Sequence, residues 1–332
     1  MIVPKQGRGR PTKAATELYQ QQLKKFASSM IKLTSRLDFK VSSRGWCYVL
    51  ENEGQIKKSE FDIVQRLIND CRKSGVLPID ICAEDGARIY NHIQSIDNAN
   101  NSKYLDDLNT RIYQTLNTYT PYSFWDDKKV YIQMLVEKID LKSLFNPICE
   151  KYHVPIANCK GWSDINMRYD LMTRYKEYEA AGCQCYLLYC GDHDPSGLLI
   201  SDTVRNNLSD ISGAADWKPK HLIINRFGLN YDFIIDNNLS WIDGLETGSK
   251  KKINDLADPR HPDHNKPYVQ DYISQFGARK VEANALVIKP VEGRQLCEQA
   301  ILNILQDDDA ISKYNDDMNK IRKTIIKQYE SK

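Results

Sequence analysis

Between residues 130 and 227 the chain alternates short apolar runs with amphipathic stretches, and this alternation limits the possible folds more than any other feature. VYIQMLV (130–136), VPIANC (154–159), CQCYLLYC (183–190) and HLIINRF (221–227) have strand length and strand composition. DLKSLFNPICEKY (140–152), 163–180 and 196–208 read as helices between them. Strands joined by helices at this spacing predict a parallel, doubly wound sheet covered on both faces. In such sheets ligands bind at the carboxyl ends of the strands. Polar side chains that follow those runs are therefore the first candidates for a site.

The N-terminal part has a different pattern. Residues 14–37 predict a helix with Leu18, Phe26, Met30, Leu33 and Leu37 near one face. Ser42 or Ser43 is a candidate cap for a second helix through Arg44–Leu50, which Glu53-Gly54 ends. Ser59-Glu60-Phe61-Asp62 reads as a capping-box-like start for a third helix carrying Phe61, Val64, Leu67, Ile68 and Cys71, closed by Gly75. Three short helices followed by an extended VLPIDICAE segment are the pattern of a helix-turn-helix or winged-helix domain. At 332 residues the chain has room for two domains. The expected division is an arm over 1–13, a winged-helix domain over 14–94 and a linker over 95–125. An α/β domain then fills 126–332, with an insertion or long loop around 242–280. The expected class is thus α/β plus α+β.

The sharpest motif is Gly191-Asp192-His193-Asp194-Pro195-Ser196-Gly197, directly after YLLYC. A D-x-D leaving a strand puts two carboxylates at i and i+2 on one side of the chain. Pro195 stops the strand and suits the first position of the next helix. Paired carboxylates repel unless a cation joins them, and Mg²⁺ takes oxygen ligands while keeping waters and phosphates in its shell. Loop carboxylates are also often merely solvated. Glu137 strengthens the metal reading, because it ends VYIQMLV and so lies at another strand's carboxyl end. His193 reads as a spacer between the aspartates, since imidazole is a poor partner for Mg²⁺.

Glu after the first strand followed by D-x-D after a later one resembles the ligand layout of a Toprim domain. In detail the chain resembles the A subunits of topoisomerase VI, a family that includes the meiotic double-strand-break protein and Mini-A-type proteins. Val136-Glu137-Lys138 is similar to that family's V-E-K, and Lys160-Gly161-Trp162 with Arg168 to its K-G-x and following basic residue. Asp192-His193-Asp194-Pro195-Ser196-Gly197 is similar to its D-x-D-P-x-G, and Glu282-Ala283-Asn284-Ala285-Leu286 to its E-x-x-A-L. The resemblance spans roughly residues 40–300 and is strongest over 130–200. It implies a winged helix joined to a Toprim domain, with Mg²⁺ held by Glu137, Asp192 and Asp194. It also implies a homodimer on double-stranded DNA, one subunit's tyrosine meeting the other's metal site.

In that family an R-x-x-Y-Y pattern carries the nucleophile. Here Arg44-Gly45-Trp46-Cys47-Tyr48 sets Arg44 and Tyr48 on one helix face, four apart, with Cys47 where the first Tyr is expected. The implied catalytic residues are Tyr48, Arg44, Glu137, Asp192 and Asp194, with Tyr48 forming a transient phosphotyrosyl link. A phenol is a weak nucleophile at neutral pH, and a neighbouring guanidinium is expected to favour the phenolate. The bland alternative makes Tyr48 a packed aromatic and Arg44 a surface residue. A second enzyme reading is a hydrolytic Toprim endonuclease of defence-system type, with a metal-activated water. A third, non-enzyme reading is a DNA-binding or structural protein with a relic metal site.

Net charge is only +2, but residues 1–40 carry a local net of +7. A basic end suits a phosphate backbone or an anionic membrane surface, and it can also be a solvated helix. Arg8-Gly9-Arg10-Pro11 resembles the core of an AT-hook, whose arginines enter narrow minor grooves. Arg66, Arg72 and Lys73 are candidate phosphate contacts on the third helix, as are Lys160 and Arg168 further on. No apolar run reaches membrane-spanning length, and the N-terminus lacks a secretory apolar core. Nine scattered cysteines at no zinc spacing read as buried, reduced thiols of a cytoplasmic protein. No G-x-x-x-x-G-K-[ST] loop is present, so a full topoisomerase cycle implies a separate ATPase subunit.

Overall fold

The computed structural model describes residues 3–4, 12–83, 101–159, 165–247 and 253–331. Helix α1 (Lys13–Thr34) buries Leu23, Phe26, Ala27, Met30 and Leu33 along one stripe. Leu18, expected on that stripe, is exposed, because the first turns of α1 project beyond the core. Helix α2 (Ser43–Asn52) starts at Ser42, whose hydroxyl accepts from the Gly45 N–H. Helix α3 (Phe61–Lys73) buries Phe61, Val64, Leu67, Ile68 and Cys71, the five apolar positions expected from the sequence.

The segment expected to be extended after α3 instead closes into a 3-10 turn, Ile79–Ile81. Arg72 donates to the Ile79 carbonyl and Trp46 Nε1 to the Ile81 carbonyl, and these bonds fold the segment back on the helices. Among the described residues before 84 no strand is present. Any wing within 84–94 lies outside the described residues. The expected linker contains helix α4 (Asn101–Thr118), which packs on the last helix, α13, through Tyr113 and Tyr329.

Four parallel strands form the centre, in the order β2-β1-β3-β4. In chain order they are β1 (Val130–Val136), β2 (Ile156–Asn158), β3 (Gln184–Cys190) and β4 (Ile223–Gly228). Helices α5 (Ile139–Lys151), α6 (Ile165–Ala180), α7 (Pro195–Leu198), α8 (Ile200–Ser209) and α9 (Ser212–Ala215) connect them. Strand alternation shows why both faces are covered. On β1, Gln133 bonds to Leu171 and Arg174 of α6. Its neighbour Met134 meets Cys149 of α5 and Cys297 of α12 (Pro290–Leu305), which follows later in the chain. Successive side chains thus serve opposite layers.

After β4 come α10 (Tyr231–Asp236), β5 (Ile242–Asp243), α11 (Pro267–Phe276) and β6 (Arg279–Lys280). The described part of the expected 242–280 loop is therefore ordered. It has its own small core of Leu245, Leu256, Val269 and Tyr272, and β5 pairs antiparallel with β6. A 3-10 segment, Ala283–Ile288, leads to α12 and then α13 (Ala310–Glu330). All nine cysteines are free and buried, as their scatter suggested. No described helix is long and apolar enough to cross a membrane.

Candidate site at the strand carboxyl ends

Strands β1 and β3 run in register to their ends, with Val136 opposite Cys190. The Glu137 N–H continues this ladder onto the Cys190 carbonyl at 3.0 Å. That register sets Glu137 beside Gly191 and Asp192. The Asp192 N–H then donates to Glu137 Oε2 at 2.9 Å. Gly191 leaves room here: a Cβ would stand 2.7 Å from Glu137 Oε2 and 2.6 Å from the Tyr189 hydroxyl, so both side chains would have to shift.

Lys138 occupies the point on which the carboxylates converge. Its Nζ lies 2.6 Å from Glu137 Oε1 and 2.9 Å from Asp192 Oδ2. The other Asp192 oxygen accepts from the Ala283 N–H at 2.8 Å. Asp194 turns away, capping α7 by accepting from the Gly197 N–H at 2.6 Å. Pro195 takes the first helical position, as expected. Glu137, Asp192 and Asp194 thus lie in one neighbourhood but do not close into a three-carboxylate cluster. Among the described residues no group of three or more His, Cys, Asp or Glu converges to hold a metal ion. The physical reasons are the N-cap role of Asp194 and the ammonium between the other two. The Glu137–Asp192 pair nevertheless fits one cation, since two of its oxygens already converge on a positive charge.

Burial pushes Asp192 up to about 7, against the pull of Lys138 and with the Glu137 charge adding to the rise. Burial would also raise Glu137, but Lys138 and the Asp192 N–H outweigh it and hold that carboxyl below its usual range. Lys138 keeps its proton: burial opposes the charge, and the two carboxylates more than restore it. Burial raises Asp194 as well.

The N-terminal helices close over this floor. Arg44 reaches across from α2 to Glu282, Nε to Oε2 and Nη2 to Oε1, both at 3.0 Å. The Tyr48 hydroxyl donates to the same Glu282 Oε2 at 3.0 Å. Arg44 and Tyr48 therefore share one face, as their spacing implied, and that face meets a carboxylate. The phenol is only 1% exposed and packs edge-on against Phe61. Its pKa moves up, not down: burial dominates, the Glu282 charge adds, and Arg44 does not compensate. Arg44 does favour the phenolate, as expected, but burial and Glu282 outweigh it. Burial pushes the neighbouring Cys47 thiol up to about 12. A second carboxylate rivets α2 to the sheet domain. Fully buried Asp140 accepts from the Ser42 backbone N–H, from its hydroxyl at 2.6 Å, and from Asn284.

Between these layers lies a cleft of about 630 Å³, lined by Arg44, Glu137, Lys138, Asp140, Asp194 and Glu282 among others. Tyr48 and Asp192 are not lining residues; they stand behind Glu282 and Lys138. Glu282 and Lys138 are the site residues that sequence reasoning missed as participants. Both sat inside the V-E-K and E-x-x-A-L matches, which was the available signal.

His193 faces away from the cleft. Its ring is boxed by Trp241, Tyr272 and Phe276, with Nδ1 on the Leu229 carbonyl and its pKa lowered to about 4 by burial. Of the expected DNA contacts, Arg66 and Lys73 are on α3, Lys73 exposed and paired with Asp70 and Arg66 donating to the Asp62 carbonyl. Arg72 holds the Ile79 carbonyl. Arg168 is buried and donates to the Asn207 carbonyl, so its guanidinium joins α6 to α8 instead of facing solvent. Arg8, Arg10 and Lys160 lie outside the described residues. No family model, curated protein or solved structure matches this chain.

Proposed function

We propose that this chain breaks DNA strands with the help of Mg²⁺, as a topoisomerase VI A-like protein with a winged-helix-type N-terminal domain and a Toprim-type sheet domain. One observation carries the reading. Glu137 and Asp192, at the carboxyl ends of adjacent parallel strands, converge on a single cationic point beside a cleft. Glu137 and Asp192 would hold the ion if Lys138 moved aside, and Asp194 would have to release its cap on α7 to join them. When bound, Mg²⁺ supplies charge stabilisation for the phosphoryl oxygens.

In this reading Tyr48 is the nucleophile. Its phenolic oxygen bonds to phosphorus, the deoxyribose oxygen leaves, and the strand stays tethered through a phosphotyrosyl link. The guanidinium of Arg44 supports the assignment, since a planar fork suits a phosphate as well as a carboxylate. The family resemblance adds a homodimer in which each subunit cuts one strand, and a separate ATPase subunit. A hydrolytic endonuclease is the second reading. The burial of Tyr48 favours it, because an enclosed phenol leaves attack to a metal-activated water.

End-labelled supercoiled DNA and Mg²⁺, denatured with and without protease, separate the two. Covalent cleavage yields broken DNA that enters a gel normally only after protease, and Tyr48→Phe abolishes it. Hydrolytic cleavage gives free ends, and Tyr48→Phe cuts normally. Asp192→Ala and Glu137→Ala abolish breakage in both; a folded Asp192→Ala protein that cuts at the wild-type rate defeats the site assignment.

A further inference from the structure

Glu282 is the one carboxylate, among the described residues, in contact with both functional side chains of α2. Its Oε2 lies 3.0 Å from the Tyr48 hydroxyl, with the phenol donating. Its two oxygens take a fork from Arg44 Nε and Nη2. The third nitrogen, Nη1, makes a 3.5 Å contact with the exposed Asp62. The carboxylate lines the cleft and sits one residue before Ala283, whose N–H holds Asp192. It is therefore fixed relative to the phenol of its own subunit.

Building on the covalent reading, we infer that Glu282 is the catalytic residue that takes the Tyr48 proton, and that Arg44 follows the negative charge from Glu282 to the phosphate. The O–H bond of Tyr48 breaks as its oxygen bonds to phosphorus. The proton goes to Glu282 Oε2, the bond from phosphorus to the sugar oxygen breaks, and the leaving oxygen takes a proton from water. Once Glu282 is neutral, the Arg44 fork no longer has an anionic partner. The new negative charge then lies on the phosphorane, to which the released fork can turn. On resealing, the sugar hydroxyl attacks phosphorus and gives its proton to solvent, the bond from phosphorus to the phenolic oxygen breaks, and Glu282 returns its proton to the phenol. Transfer and attack must be concerted, because a buried phenol does not ionise ahead of attack.

Four titratable groups surround Glu282: Arg44 and Tyr48 from α2, Lys138 at the head of α5, and Lys58 before α3. The cations Arg44, Lys138 and Lys58 keep Glu282 ionised and ready to accept at neutral pH.

The test is the rate of covalent adduct formation by the full chain on supercoiled DNA with Mg²⁺, measured in single turnover from acid to alkaline pH. Glu282→Gln is isosteric and keeps an acceptor near Arg44. Its adduct formation should fall roughly 10²–10⁴-fold at neutral pH while DNA binding persists, then climb steadily with pH as hydroxide replaces the missing base. Glu282→Asp should recover part of the loss. Wild-type protein should react more slowly in heavy water, a readout that needs no variant to fold. Adduct formation at the wild-type rate in Glu282→Gln overturns the inference. So does a fall that leaves the pH profile unchanged in shape, which marks a structural role, and so do equal rates in light and heavy water. If Tyr48→Phe is inactive while Glu282→Gln is active, this inference alone fails. If Tyr48→Phe cuts normally, the covalent reading fails and takes the inference with it.

Discussion

At the scale of single residues, Asp192 concentrates the electrostatic strain of the site. Its folded pKa is raised from the ordinary 3.8 to about 7. A carboxyl raised in this way contributes its full share of stability only below the unfolded value, and that share is lost as pH rises through the folded one. Glu137 is held low and stays ionised across the same window, so the change belongs to Asp192. Metal-free wild-type protein should therefore lose roughly 2–4 kcal/mol relative to Asp192→Asn between pH near 4 and pH near 7. Urea unfolding of both proteins in chelator, across that range, measures the gap; a gap that does not change with pH contradicts the assignment. Asp192 and Glu137 were legible in the sequence because strand ends announce themselves by a run of apolar residues stopping at an acid. Arg44 and Tyr48 were legible through helical spacing. Glu282 was not, because it meets Tyr48 from 234 residues away and such a contact leaves no local periodicity.

At the scale of elements, α2 is held along its N-terminal half, by Asp140 on its cap Ser42 and by Glu282 on Arg44 and Tyr48. Ser42 both caps the helix and feeds Asp140. Ser42→Ala removes the cap and one donor to a buried carboxyl, and should lower stability by about 1–3 kcal/mol. Thermal and urea unfolding measure this; a change within a few tenths of a kcal/mol means the cap and the rivet are unimportant. The helices α1 to α3 were legible from capping residues and apolar period. Helix α4 was hidden because it buries little: Tyr104, Leu105 and Leu108 remain exposed, so its Asn- and Asp-rich sequence looked like a linker. The 242–280 region was hidden for the opposite reason. Its small core of Leu245, Leu256, Val269 and Tyr272 draws on residues too far apart to form a pattern.

At the scale of the whole molecule, charge is distributed unevenly. Lys24, Lys25 and Lys32 are exposed along α1, while the cleft is floored by carboxylates. On the proposed function, DNA is attracted at one place and cut at another. Removing residues 1–13, with Lys5, Arg8, Arg10 and Lys13, should weaken binding and flatten its salt dependence, because each phosphate the arm no longer neutralises takes about one counterion out of the slope. Titrations at several salt concentrations test this, and identical slopes for full-length and shortened protein dispose of it. Cleavage chemistry should survive the truncation, since the arm carries no catalytic group.

The burial of Cys47 turns α2 into its own timekeeper. Its sulfur is sealed between the Ser43 and Phe61 carbonyls, next in sequence to Tyr48. A thiol in that place is silent toward alkylating reagents while the helix is seated. On the proposed covalent reading, phosphate reaches Tyr48 only if α2 loosens from α3 while the phenol keeps its Glu282 contact, and the same loosening bares the sulfur. The pace at which Cys47 takes up a label, with and without DNA, is thus a clock for the opening of the site, already wired into the native chain.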